Sequence, residues 1–119
     1  IKTLDANLQK KIKNSLEKLV SNNQFQELLK YTLKTEVSFG YKIKSDIKIG
    51  RVDLLVIQED QIIIIDYKSG NKPNINLIPD QYVDQLKRYK ETFTEIYPDK
   101  NISCKIIWLE HGVIQDIVV

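Results

Sequence analysis

The stretch that decides the fold runs from Ile49 to Lys68 and reads Ile-Gly-Arg-Val-Asp-Leu-Leu-Val-Ile-Gln-Glu-Asp-Gln-Ile-Ile-Ile-Ile-Asp-Tyr-Lys. Two apolar runs flank a short polar break from Gln58 to Gln61, a pattern that predicts two strands joined by a hairpin turn. The unbroken isoleucines before Asp66 are typical of a strand that is buried on both faces. We therefore expect this hairpin to lie at the centre of a sheet.

Three ionisable residues interrupt or end these apolar runs. Asp53 lies within the first run, and Asp66 and Lys68 close the second. Because residues two apart in a strand face the same side, Asp66 and Lys68 are predicted to project together, with Tyr67 opposite and Asp53 within reach from the partner strand. Buried charges are unfavourable unless they have partners. The set favours a site for metal-assisted hydrolysis, although an Asp-x-Lys taken alone also fits a solvated ion pair of little energetic weight.

The rest of the chain surrounds this hairpin with further helices and strands. Helical spacing of apolar residues, followed by period-two alternation, sets the order of elements. In order, we predict helices over 4–20 and 24–31, strands over 36–43, 47–57 and 62–68, a loop over 69–79, a helix over 80–95, and strands over 102–109 and 113–119. A helix between the third and fourth strands permits a right-handed crossover, so the sheet should be mixed.

Length and composition limit the classes of protein to which the chain can belong. At 119 residues we expect one domain over 1–119, and a net charge of +2 decides neither for nor against nucleic acid. No apolar run reaches the length of a membrane span and no signal peptide is visible, so no membrane partner is expected. Cys104 has no second cysteine to pair with, which fits a reducing, cytoplasmic location. The first residue is Ile rather than Met, so we expect a piece of a longer protein.

Four features in chain order carry a resemblance to a known family. They are Glu36 in the first strand, Gly50-Arg51-Val52-Asp53 in the second, Asp66-Tyr67-Lys68 at the end of the third, and Gln81-Tyr82-x-x-Gln85-Leu86-x-x-Tyr89 in the next helix. The ordered set resembles the RecB-like branch of the PD-(D/E)xK nuclease superfamily, and the residues from Ile96 to Trp108 resemble the C-terminal nuclease domain of AddA helicase–nucleases. The resemblance implies an α/β, restriction-endonuclease-like core in the order α-β-β-β-α-β, with a mixed central sheet flanked by helices.

The same resemblance implies a catalytic and metal-binding set. Asp53 and Asp66 would bind Mg²⁺ or Mn²⁺, with the backbone carbonyl of Tyr67 as a further ligand. Lys68 would orient or activate the attacking water, and Glu36 matches an acid of the first strand that is common in the superfamily. Hard oxygen ligands of this kind suit Mg²⁺.

A second implied set supports the active site or contacts DNA. Gln85 and Tyr89 match the helix motif of the branch, with Gln81 one turn earlier, and Gly50 would let the backbone come close to the site or to DNA. The chain departs from the branch in two ways. No His lies in residues 1–35, where the branch often has a metal ligand, and Val52 stands where the superfamily has Pro.

The implied function is metal-dependent hydrolysis of DNA phosphodiester bonds, with little sequence specificity, in end resection during recombinational double-strand break repair. The implied partners are DNA, a partner nuclease subunit, and the helicase portion of the same parent chain. An alternative is a nuclease-fold module without activity that serves DNA binding or docking to other subunits. The intact Asp53, Asp66 and Lys68 favour the enzyme, whereas the absent His favours the alternative.

Overall fold

The computed structural model describes residues 6–69 and 78–119. Its elements are α1 (Ala6–Val20), α2 (Asn23–Leu28), β1 (Thr32–Ile43), β2 (Asp46–Ile57), β3 (Gln61–Lys68), α3 (Asp80–Ile96), β4 (Asn101–Trp108) and β5 (Val113–Ile117). This is the predicted order. β1 begins at Thr32 rather than Glu36, because its backbone pairs with β2 as far as Ile57. The start of the predicted first helix (4–5) and most of the predicted loop (70–77) lie outside the described residues.

The five strands form one mixed sheet in the order β1-β2-β3-β4-β5. β1–β2, β2–β3 and β4–β5 are antiparallel, whereas β3 and β4 are parallel. α3 supplies the connection that a parallel pair requires. The mixed sheet with flanking helices expected from the sequence is confirmed.

Both faces of the central strands are buried. On one face, α3 covers a core that includes Leu55, Ile62, Ile64, Leu86, Tyr89, Phe93, Ile106 and Trp108. On the other face, α1 and α2 contribute to a second core with Leu19, Leu28, Leu54, Val56, Ile63, Ile65 and Ile107. Alternate isoleucines of β3 therefore enter different cores, which is why that strand reads as a continuous apolar run.

The apolar stripe predicted for α1 is only partly covered. Leu19 is buried, but Leu16 is 52% and Val20 60% exposed. The last turn of α1 lies against the β4–β5 turn, where Gly112 has a φ of +61° and Asn22 Nδ2 donates to its carbonyl over 3.0 Å. Among the residues that the structure describes, no helix is both long and apolar enough to cross a bilayer.

β1 and β2 continue beyond the rest of the sheet as a two-stranded ribbon, here defined as residues 37–52. Paired residues of β2 and β3 end at Leu54 and Ile65, whereas the β1–β2 ladder runs on to Ile43 and Asp46. The turn at the tip contains Lys44 with a φ of +57°. The ribbon therefore projects from the point where β2 and β3 separate.

Candidate active site

The two candidate aspartates lie where β2 and β3 diverge. Continuing the antiparallel register by one residue past Leu54 and Ile65 sets Asp53 opposite Asp66. In place of a further backbone pair, Asp53 Oδ2 accepts a hydrogen bond of 2.8 Å from the backbone N–H of Tyr67. This bond holds the Asp53 carboxylate against the end of β3.

Asp66 is a buried carboxylate that is ion-paired with Lys68. The residue is 6% exposed, and its Oδ2 atom lies 2.7 Å from Lys68 Nζ. The Lys68 ammonium is therefore the charged partner of this oxygen. Burial is the main reason that the pKa of Asp66 is raised to about 6; Asp53 adds to the rise, and Lys68 opposes it. A bound cation would relieve this unfavourable negative charge.

Three side chains surround the Lys68 ammonium. Besides Asp66, Nζ donates a hydrogen bond of 3.3 Å to Gln85 Oε1 and lies 4.3 Å from the centroid of the Tyr82 ring. Gln85 in turn donates through Nε2 to the Tyr89 hydroxyl over 3.1 Å. Tyr82, Gln85 and Tyr89 share one face of α3, since residues three and four apart on a helix are neighbours. α3 therefore fixes the position of the lysine.

Tyr82 is a site residue that sequence reasoning missed. Its place on the apolar stripe indicated packing, and its ring does lie 6.3 Å from that of Trp108. Its second contact, with the Lys68 ammonium, is a cation–π interaction. The sequence feature that could have indicated this role is its position three residues before Gln85, which places both side chains on one face of the helix. Trp108 pairs with Lys68 in the β3–β4 register, and its Nε1–H donates to Gln115 Oε1 over 2.8 Å.

The predicted facing of the Asp-Tyr-Lys run is confirmed. Asp66 and Lys68 meet on the α3 side of the sheet, and Tyr67 packs against the second core on the other side. The arrangement also excludes the plain surface ion pair, because the side chains of Lys68 and Asp66 are only 18% and 9% exposed.

The backbone of Glu36 lies next to that of Asp53, at the edge of the candidate site. It falls opposite Asp53 in the β1–β2 register, between the pairs Thr35–Leu54 and Val37–Val52, but is itself unpaired and has a φ of +52°. Its side chain is exposed. Among residues 6–69 and 78–119, no three His, Cys, Asp or Glu side chains cluster as a metal site, so Glu36 is not gathered with the two aspartates.

Gly50 and Gln81 lie outside the group of side chains that surround the Lys68 ammonium. Gly50 is buried, and a Cβ there would come within 2.7 Å of Phe39 Cζ and 3.0 Å of Tyr89 Cε1. Its lack of a side chain thus admits two aromatic rings, which meet edge to face at 4.9 Å. Gln81, in the first turn of α3, is exposed and is not one of the residues that contact Lys68.

The donor set fits a hard divalent cation that retains water ligands. Asp53 and Asp66 supply carboxylate oxygens, and the Asp66 carboxylate is buried. Mg²⁺ is usually held by one or two carboxylates, several waters and substrate phosphate oxygens, so two aspartates are sufficient protein ligands. The site thus satisfies a chemical requirement for Mg²⁺ or Mn²⁺ without a third acidic residue.

The sheet order and the parallel β3–β4 crossover define a restriction-endonuclease-like α/β domain. Residues 3–106 match the family model of the PD-(D/E)XK nuclease superfamily, and the chain belongs to that superfamily. It is also similar to an ATP-dependent helicase/nuclease subunit of Lacticaseibacillus casei strain BL23 and to its counterpart in Lacticaseibacillus paracasei strain ATCC 334. Each is 28% identical over 69 residues, which is 58% of this chain. The matched segment spans 6% of the length of either relative.

Proposed function

We propose that this domain is a metal-dependent deoxyribonuclease that hydrolyses DNA phosphodiester bonds with little sequence specificity. The observation that carries the proposal is the buried Asp66 carboxylate, which lies opposite Asp53 and has its Oδ2 atom 2.7 Å from the Lys68 ammonium. A fold needs no such arrangement for stability, because it places an unfavourable negative charge at the end of a buried strand.

The residues of the site have separate roles in this proposal. Asp53 and Asp66 would hold Mg²⁺ or Mn²⁺, and the carbonyl of Tyr67 is the proposed further ligand. When bound, the metal would polarise the scissile phosphate and lower the pKa of a bound water. The backbone N–H of Tyr67 holds Asp53 in place.

Lys68 supplies positive charge where the phosphate gains negative charge in the transition state. Its contacts with Gln85 and the Tyr82 ring would keep the ammonium at the site if Asp66 served as a metal ligand. Tyr89 holds Gln85 through its hydroxyl group. In this proposal Gln85 and Tyr89 act by positioning Lys68, and Gln81, which is exposed at the start of α3, is left as a DNA contact.

The biological setting is proposed from the two relatives, both of which are named as part of an ATP-dependent helicase/nuclease. By analogy the domain would serve end resection in recombinational double-strand break repair. Its partners would be a helicase portion of the same parent chain and a second nuclease subunit. The location would then be the cytoplasm, where chromosomal DNA lies in a bacterium.

The test is cleavage of single-stranded DNA by the domain with Mg²⁺, with Mn²⁺ and with chelator. We expect degradation with either metal, none with chelator, and none from Asp66→Asn. A matched control is Asp116→Asn, which removes an aspartate that pairs with Lys105 at the surface. Degradation that persists in chelator would exclude the metal mechanism.

If the wild-type domain binds DNA but never degrades it with either metal, the alternative of a DNA-binding module without activity is favoured. The observation behind this alternative is that only two acidic side chains meet at the site in the described part of the chain.

A further inference from the structure

The ribbon of residues 37–52 concentrates the positive charge of the chain. It contains four of the 18 basic residues, Lys42, Lys44, Lys48 and Arg51, and one of the 16 acidic residues, Asp46. Its net charge is therefore +3, whereas the remaining 14 basic and 15 acidic residues give −1. The ribbon also projects directly from the candidate active site, since Arg51 precedes Asp53 by two residues.

One face of the ribbon is exposed and carries both cationic and apolar side chains. Residues that pair across an antiparallel ladder share a face, and Phe39 and Gly50 mark the face that packs on α3. The opposite face, here called the outer ribbon face, carries the next pairs along the ladder, which are Ser38–Arg51, Gly40–Ile49 and Lys42–Ile47. None of these six residues is acidic, and Lys42 and Ile47 also border a cleft against α3 that is lined by Arg88, Glu91 and Glu95.

Two exposed isoleucines favour a partner for this face. Ile47 is 71% and Ile49 81% exposed; Ile47 lies opposite Lys42, and Ile49 lies between Ile47 and Arg51 on the same face. Lysines on free strand edges also discourage edge-to-edge aggregation. That role explains the lysines but gives no reason for two isoleucines in solvent.

We propose that the outer ribbon face binds duplex DNA next to the site of hydrolysis; this inference rests on the proposed nuclease function. A two-stranded ribbon fits the major groove of B-DNA, where cationic side chains contact phosphates and apolar side chains contact thymine methyl groups. Lys42 lies opposite Ile47, so Lys42 and Arg51 are four residue steps apart along the ladder. At about 3.3 Å per residue that separation is about 13 Å, which matches the rise of about four base pairs, and Ile49 lies between them.

The phosphate contacts of Lys42 and Arg51 hold the duplex without reading its sequence, because phosphates carry no base identity, whereas the two isoleucines add a preference for thymine. The ribbon would thereby keep a duplex segment beside Asp53 and Asp66 while a neighbouring phosphodiester bond is hydrolysed.

The test measures the binding of wild type and of Lys42→Ala/Arg51→Ala to a fluorescent duplex of about twenty base pairs, in chelator, from about 50 to 200 mM salt. Each lost phosphate contact should reduce the slope of log affinity against log salt by about 0.9, so the double variant should lose about 1.8. Wild-type affinity should accordingly fall about twelvefold more than that of the variant over this fourfold salt range.

A matched control is Lys10→Ala/Lys13→Ala, which removes two exposed charges from α1. Its slope should equal that of wild type. Equal slope changes in the two double variants, or no change in the ribbon variant, would overturn the proposal. Ile47→Ser/Ile49→Ser should weaken duplex binding at every salt concentration with an unchanged slope; unaltered affinity would contradict the proposed contact of the isoleucines with DNA.

Thermal melts should be run to check that each variant is folded. We expect all of them to fold, because every substituted side chain is exposed. Because binding is measured in chelator, the result is independent of catalysis. Cleavage by wild type together with an unchanged ribbon slope would refute this inference alone, whereas wild type that neither binds nor cleaves DNA would refute the proposed function as well.

Discussion

Replacing Asp66 by Asn should leave the metal-free domain as stable as wild type or more stable. The substitution keeps the shape of the side chain and removes a buried charge. Its amide can donate a hydrogen bond toward Asp53, and Lys68 retains its contacts with Gln85 and the Tyr82 ring. The ammonium loses Asp66 as its anionic partner but keeps these two neutral contacts.

The raised pKa of Asp66 sets the magnitude and the pH dependence. A folded-state pKa of about 6, against 3.8 for the ordinary group, means that the folded chain binds the proton more tightly than the unfolded chain. Protonated Asp66 thus stabilises the fold fully below pH 3.8, and this stability is lost as the pH rises through about 6. This pKa difference corresponds to at most about 3 kcal/mol in the free energy of unfolding. Desolvation of the Asn amide offsets part of it, so we expect Asp66→Asn to be more stable than wild type by about 1 kcal/mol above pH 7.

Urea denaturation in chelator at about pH 4, 6 and 8 measures this directly. The advantage of Asp66→Asn over wild type should be greatest at the highest pH and absent at the lowest. Asp116→Asn, at an exposed surface pair, should change the free energy of unfolding by less than about 0.5 kcal/mol at each pH. If Asp66→Asn unfolds well below wild type at pH 8, the carboxylate has a structural role and our reasoning is wrong.

Substitutions at three further positions test separate parts of the site. Lys68→Ala should lower the cleavage rate by about a hundredfold or more while DNA binding persists; equal losses in both would make Lys68 an ordinary phosphate contact. Glu36→Gly should retain cleavage because glycine adopts the positive φ, whereas Glu36→Val should lose both cleavage and thermal stability; similar losses in both would show that the carboxylate is required. Gly50→Ala should destabilise the fold by about 1–3 kcal/mol, measured by urea denaturation, because its Cβ meets the Tyr89 ring; an unchanged stability would contradict the close packing found there.

The sequence predicted the framework of the site well because strand periodicity is a local signal. The alternation around Asp66 and Lys68 predicted their common face, and the apolar run before them predicted burial on both sides. The helix between β3 and β4 predicted the parallel crossover. Each of these inferences needs only residues that are close in the chain.

The features that could not be predicted depend on pairings between distant segments. The positive φ of Glu36 arises opposite Asp53 in the β1–β2 ladder, and the role of Gly50 depends on the ring of Tyr89 in α3. The cation–π contact of Tyr82 likewise needs the placement of α3 over β3. Contacts between distant segments produce no periodic pattern in the sequence, so they could not be predicted from it.

The most direct test of the central claim is a crystal of the domain soaked in Mn²⁺ and examined by anomalous diffraction. We predict a peak bonded to carboxylate oxygens of both Asp53 and Asp66, close to the Tyr67 carbonyl, and no such peak in Asp66→Asn. Mn²⁺ bound only elsewhere, or bound equally by the variant, would contradict the claim that these two aspartates form the metal site of a nuclease.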